Sequence, residues 1–342
     1  MENKELQYVM LLGYGWSGSS AIVDLLKEFR GYWAPGDIME FRILRDPYGV
    51  MNLESHLIDH WDPLVYDMAI RDFIWYSQTL NKTPGKFTKE GGYYDTFFGK
   101  HFLGATEKFV QKLTDFTYDG YWFYFDFKLN ALQNTIRKIK RKLNKTKFEA
   151  AQNKRLYFSN LTREQFYQYV QEYMDDIFQP IAAKENATHM IMDQAIPVQL
   201  PTKSNDYFKN AKTIIVDRDP RDIYVELVKL GKLIGKELKH TKDPMKYVEW
   251  HKAYRRNVEE YKKDENILFL QFEDIVQNYD ENVKKILDFL GEDESIHLAE
   301  KKRTLFNPDR SIKNIGIWRN YEHQDEMQVL YDNLTEYCYQ GK

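Results

Sequence analysis

The chain has 342 residues, 43% of them apolar, with 49 Lys and Arg against 52 Asp and Glu for a net charge of -3. This excludes a disordered chain and gives no bulk attraction toward nucleic acid or membrane; the length suffices for a large core in one or two domains. One cysteine, Cys338, excludes an intrachain disulfide framework, and no apolar run approaches transmembrane length.

The first predicted strand is 7–12, ending in Val9-Met10-Leu11-Leu12, and the first predicted helix is 19–29. Between them runs Gly13-Tyr14-Gly15-Trp16-Ser17-Gly18-Ser19-Ser20. Backbone N–H groups of such a turn, with the partial positive charge of a helix start, form a cradle for phosphate. The octet fits three patterns. Gly13, Gly15 and Gly18 have dinucleotide-fingerprint spacing, but the following stretch 31–37 is a poor second strand. Gly13 and Gly18 have the spacing of an NTPase loop, but Ser19 stands where that loop needs Lys. Ser17-Gly18-Ser19-Ser20 fits a third pattern, in which small hydroxyl residues open the helix beneath a 5′-phosphate. An ordinary tight turn remains the plain alternative.

Residues 65–182 differ in texture. They are rich in Tyr, Phe and Lys, with helical pattern, and read as an insertion. Tyr121–Phe127 is an aromatic block, and Arg137–Lys142 a basic run followed by Lys145, Lys147, Lys154 and Arg155. Core packing explains the block's inward residues, and a solvated helix face explains the run. The functional alternative is an acceptor site, with aromatics stacking on sugar or sterol faces and the 137–155 stretch touching anionic groups or a membrane surface. His56 and His60 have metal-pair spacing on a predicted helix, but no third ligand accompanies them, so no metal is expected.

Strands follow at 189–192, 212–217 and 267–272, with helices at 220–234, 244–262 and 281–290, the last ended by Gly291. This alternation predicts an α/β fold: one domain over 1–342 with a parallel sheet flanked by helices and a mainly helical insertion. After the 212–217 strand comes Arg218-Asp219-Pro220-Arg221-Asp222. Pro220 suits a helix start, and Arg218 offers a planar, permanently charged fork to a phosphate. A solvated charge cluster is the alternative.

With these segments assembled, the chain resembles the PAPS-dependent sulfotransferase family, with its P-loop-like core. Ser17–Ser20 is similar to the family's 5′-phosphosulfate loop, and Arg218–Asp222 to its R-x-P-x-D 3′-phosphate motif. Gly316-Ile317-Trp318-Arg319-Asn320 is similar to its G-x-W-K-N segment, and Lys313 falls where the family places cations on the 3′-phosphate. Phe269–Ile275 with Ile286–Gly291 resembles its structural "YEDL … FLG" stretch. The resemblance implies that the loop from Gly15 through Trp16, Ser17, Gly18 and Ser19 to Ser20 cradles the donor. It implies the same for Arg218, Lys313, Trp318 and Arg319 at the 3′-phosphate end, with 3′-phosphoadenosine 5′-phosphosulfate (PAPS) as donor and no metal. Family members use His or a carboxylate as base. Glu40, shortly after the first helix, fits that place, with Asp193 as a second candidate and Arg42 as a cation near the leaving group; a Glu40–Arg42 brace is the plain alternative.

The chain departs from the family at Trp16, where most members carry a cation, and at Glu226, where a Ser usually meets the 3′-phosphate. A carboxylate about 4 Å from a phosphate costs roughly 4 kcal/mol at an effective dielectric near 20. Lys229, three residues on, lies on the same helix face and can pair with Glu226. The expected protein is therefore a cytoplasmic sulfotransferase acting on a small-molecule or glycan hydroxyl, a carbohydrate first and a lipid or sterol second. Nucleic acid is not an expected partner, and the oligomeric state stays open. Its rivals are a P-loop phosphotransferase using an NTP and a non-catalytic nucleotide-binding protein of the same fold.

Overall fold

A computed structural model describes residues 6–36, 39–85, 91–144, 154–231 and 243–341. In chain order its main elements are β1 (Gln7–Gly13), α1 (Ser19–Lys27), β2 (Tyr32–Trp33), α2 (Pro63–Leu80), α3 (Lys100–Lys112), β3 (Phe116–Gly120), α4 (Ala131–Asn144), β4 (Lys154–Phe158) and α5 (Arg163–Glu185). They continue with β5 (His189–Asp193), β6 (Ala211–Asp217), α6 (Pro220–Leu230), α7 (Pro244–Tyr254), β7 (Ile267–Gln271), α8 (Tyr279–Leu290) and α9 (Gln324–Leu334). The chain divides into a unit of residues 1–42 with 178–342 and a second unit, 43–177.

The first unit is built on a five-stranded sheet in the order β2-β5-β1-β6-β7, every pairing parallel. Val9 to Leu12 are fully buried, as expected of a strand covered on both faces. On one face Val9, Leu11, Ile214 and Val216 join Ile22, Leu25 and Leu26 of α1 and Ile286 and Leu287 of α8. Each such fully buried aliphatic side chain contributes about 1.5–3 kcal/mol. Register aligns Leu11 with Asp193, Gly13 with Val216, and Asp217 with Gln271. The loops after β1, β5 and β6 therefore leave the same end of the sheet. The stretch expected to be a poor strand holds the two-residue β2, paired with β5. The predicted helix 220–234 ends at Leu230, where Gly231 turns left-handed (φ 56); residues 232–234 lie outside the described residues. The predicted helix 244–262 is two pieces, Pro244–Tyr254 and Val258–Tyr261, broken at Asn257 (φ 66).

The second unit is helical apart from the antiparallel pair β3–β4. It starts at residue 43, not near 65, because the 43–62 segment is tied into it: Arg163 Nη1 donates to Glu54 at 2.8 Å and Tyr167 Oη to the same carboxylate at 2.7 Å. Asp62 caps α2 by accepting from Leu64 N and Val65 N. Buried Asp67 accepts from Arg71 Nε, Trp122 Nε1 and Tyr157 N at 2.9, 3.1 and 3.0 Å, which satisfies a carboxylate that burial alone would penalise. Trp122 is thereby an anchor of the unit. His56 and His60 each meet a backbone carbonyl, of Asn52 at 2.7 Å and of Ser55 at 3.2 Å.

Candidate functional site

The glycine-rich turn closes on itself before α1. Tyr14 N donates to the buried hydroxyl of Ser17 at 3.2 Å. Gly18 precedes α1 at φ 92, and a Cβ there would lie 2.4 Å from the Phe272 ring, so only glycine fits. Helix α1 has no side-chain cap and no acidic residue in its first turn, which leaves the N–H groups at Ser19 and Ser20 as donors for an anion. Ser19 Oγ accepts from Gln194 Nε2 at 3.1 Å, joining the turn to the end of β5. Trp16 is left-handed without being glycine (φ 54). That backbone turns its carbonyl to Arg218, whose Nη1 donates to it at 3.2 Å.

The charges of Arg218–Asp222 are not a solvated cluster: Arg218, Asp219, Arg221 and Asp222 are all buried. Asp219 caps α6 at Arg221 N and grips the Arg221 guanidinium with both oxygens, at 2.9 and 2.5 Å. Arg221 in turn lies 3.9 Å over the Trp318 ring. Asp222 accepts from Gly316 N at 2.7 Å and Trp318 N at 3.1 Å, so the last residue of R-x-P-x-D holds the G-x-W-R-N segment against α6. Gly316 is left-handed (φ 69) at that junction.

Arg218 joins the turn to the C-terminal segment. Its Nη2 donates to Asn314 O at 2.6 Å, and its guanidinium lies 5.3 Å over Phe272. Its Nε is buried without a hydrogen-bond partner. Nη1 also meets the Glu226 carboxylate. The partner of Glu226 is thus Arg218 and not Lys229: a buried guanidinium eight residues back outcompetes a neighbour on the helix surface. Lys313 and Arg319 are exposed on the same segment, with Arg319 5.3 Å over Trp318.

At the other side of the turn, Phe41 N donates to Asp193 O at 3.0 Å. This pairing sets Glu40, half-buried, beside the end of β5, with Arg42 exposed. Ser20, Met39 and Asp193 line one cavity of about 410 Å³, together with Lys27 and Arg310.

Sequence reasoning gives no role to Asn314 or Gln194 and places Phe272 only within a structural stretch. A backbone carbonyl carries no sequence signal, and Gln194 is marked only by its place after a strand. Glu273, in the same structural stretch, is buried, and its carboxylate accepts from Asp219 N and Gln271 Nε2, both at 2.9 Å. Burial pushes Glu273 up from 4.5 to about 7, so the folded chain holds its proton more tightly than the unfolded chain. The stability this contributes is full below about 4.5 and is lost as pH rises through about 7. Glu273→Gln keeps an acceptor for Asp219 N and cannot ionise. Relative to wild type it should gain stability as pH rises across that window, by up to about 3 kcal/mol. Denaturant midpoints of both proteins at several pH values check this; parallel curves would mean that Glu273 titrates alike in the folded and unfolded chains.

Comparison with known proteins gives a family match, "Sulfotransferase domain", over residues 128–313, more than half of the chain. That stretch contains Arg218–Asp222 and ends at Lys313, while the turn 13–20 lies outside it. A 112-residue segment is 30% identical to mouse (Mus musculus) sulfotransferase 2B1, over 30% of this chain and 32% of that relative. The match thus spans about a third of the relative's length. Among solved structures, the sulfotransferase domain of the Synechococcus PCC 7002 olefin synthase is 13% identical, covering 97% of this chain and 96% of its own at a TM-score of 0.44. Mouse sulfotransferase SULT7A1, solved with PAP, is 20% identical over 47% of this chain and 70% of its own, at a TM-score of 0.31.

Proposed function

The chain belongs to the sulfotransferase domain family, and from that premise we propose that it moves a sulfuryl group from PAPS to a hydroxyl, on a carbohydrate in the first place and on a lipid or sterol in the second. One observation carries the reading: three segments distant in sequence converge on one buried guanidinium. Arg218 bonds to the carbonyls of Trp16 in the turn and Asn314 in the C-terminal segment while opening α6. The residues fit a donor with phosphate at two ends. The uncapped start of α1 suits the 5′ end, and the buried, unpartnered Nε of Arg218 suits the 3′-phosphate.

When bound, PAPS supplies an activated sulfuryl group whose leaving group is the 3′,5′-bisphosphate. In this reading Gly15 to Ser20 hold its 5′ end. Arg218, Lys313 and Arg319 hold its 3′-phosphate, and Trp318 positions that segment through Arg221. The acceptor hydroxyl enters the cavity bordered by Ser20, Met39 and Asp193. Glu40 takes its proton as the new O–S bond forms, and Arg42 adds positive charge nearby. Such transfer depends on in-line placement and charge stabilisation more than on covalent help.

A second reading, an NTP-dependent phosphotransferase, draws on the Glu226–Arg218 pair, which favours a ligand without a 3′-phosphate. Calorimetry separates the two. Sulfuryl transfer predicts binding of adenosine 3′,5′-bisphosphate without metal, tighter than ATP–Mg²⁺; a phosphotransferase predicts the reverse order, and that order would overturn the proposal.

A further inference from the structure

Among the described residues no helix is long and apolar enough to cross a membrane. Yet the second unit carries a surface built unlike the rest. Helix α4 reads Ala-Leu-Gln-Asn-Thr-Ile-Arg-Lys-Ile-Lys-Arg-Lys-Leu-Asn, with five cations and no acid; no acidic residue stands between Asp126 and Glu149. Leu132, Ile136 and Ile139 recur at helical spacing on one face, and all three are exposed. Just before the helix, Phe123 is 70% and Phe127 85% exposed. Folded chains seldom leave a contiguous apolar stripe of this kind in water.

The stripe sits on a fixed base. Arg137 pairs with Asp126, which also accepts from Tyr121 Oη. Trp122 is pinned to Asp67, and Phe125 is buried beneath Lys154 at 4.5 Å. Asn130 and Gln133 cap the helix start reciprocally, at 2.8 and 3.0 Å. The turn Phe123–Lys128 is therefore held by its inward residues, while Phe123 and Phe127 stay exposed just ahead of the helix. Lys138 and Lys142 are exposed on α4. Lys145 and Lys147 lie outside the described residues.

We propose that this surface docks the protein on an anionic lipid bilayer, with Phe123, Phe127, Leu132, Ile136 and Ile139 entering the interface and Lys138 and Lys142 meeting lipid phosphates. An amphipathic helix with a strongly basic polar face and flanking aromatics has the chemistry of an interfacial segment. A second copy of the chain is disfavoured, because a two-fold contact would set one acid-free basic helix against another. The proposal is independent of the donor assignment.

Vesicle co-sedimentation of the full chain tests it, with phosphatidylcholine alone against phosphatidylcholine containing about one-third phosphatidylserine. Each cation near an anionic surface is worth about fivefold in partitioning. Wild type should bind the mixed vesicles at least about tenfold better than the neutral ones, less so in high salt. Lys138→Glu with Lys142→Glu should remove that preference. Phe127→Ser with Leu132→Ser should weaken binding at every salt concentration. All these positions are exposed, so unchanged melting temperatures and unchanged bisphosphate affinity are expected of both variants. Failure of wild type to bind mixed vesicles, or variants that bind as wild type does, would overturn the proposal. So would concentration-dependent dimerisation abolished by Phe127→Ser with Leu132→Ser in the absence of lipid binding.

Discussion

Replacing Glu40 by Gln should cut sulfuryl transfer by about 10²–10⁴-fold while leaving donor affinity close to wild type. Gln keeps the shape and hydrogen-bonding capacity of Glu but cannot take a proton from the acceptor hydroxyl. The position supports the role: Phe41 N on Asp193 O sets Glu40 next to the end of β5, and its neighbours Met39 and Asp193 line the cavity that Ser20 also borders. If Glu40 instead braces Arg42, the same substitution lowers the melting temperature and donor affinity together and spares turnover per folded molecule. Bisphosphate release at saturating donor and acceptor, measured beside calorimetric donor affinity, separates the outcomes. Turnover within a few-fold of wild type would reject Glu40 as base.

Arg218→Ala should weaken adenosine 3′,5′-bisphosphate binding by roughly 10- to 150-fold, the loss of a charge-assisted contact of about 1.5–3 kcal/mol. Adenosine 5′-phosphate, which lacks the 3′ group, should lose much less. Equal losses would make Arg218 a structural residue that only ties Trp16 to Asn314. Glu226 supplies the companion variant. Its carboxylate already lies on Nη1 of Arg218, so a 3′-phosphate either displaces it or sits beside it. Glu226→Ser removes that competition and should tighten bisphosphate binding by about tenfold, with no gain for adenosine 5′-phosphate. Weaker binding in this variant would mean that Glu226 holds the guanidinium in its receiving position.

The central sheet was legible because β1 and β6 are continuous apolar runs ending in residues that open a helix: glycine and serine at one, Asp219-Pro220 at the other. β2 was not, since two residues, Tyr32 and Trp33, give no periodicity; β5 recruits them. The break in the 244–262 helix is set by one left-handed residue, Asn257, and no neighbouring glycine or proline announces it. At the site, Arg218 and Asp222 stood out by spacing, but what they do for one another did not. Asp222 spends its carboxylate on Gly316 and Trp318 backbone N–H groups. For Glu226, helix spacing points to Lys229, whereas burial of Arg218 sets a stronger demand for an anion. In the aromatic block, burial divides what composition lumps together: Trp122 and Phe125 hold the unit, and Phe123 and Phe127 face water.

A crystal structure of the chain with adenosine 3′,5′-bisphosphate tests the central claim most directly. The account predicts the 5′-phosphate on the backbone N–H groups between Gly15 and Ser20, and the 3′-phosphate on Arg218, with Glu226 turned away from Nη1. Nucleotide bound elsewhere, or a 3′-phosphate pointing to solvent while Glu226 stays on Arg218, would contradict it.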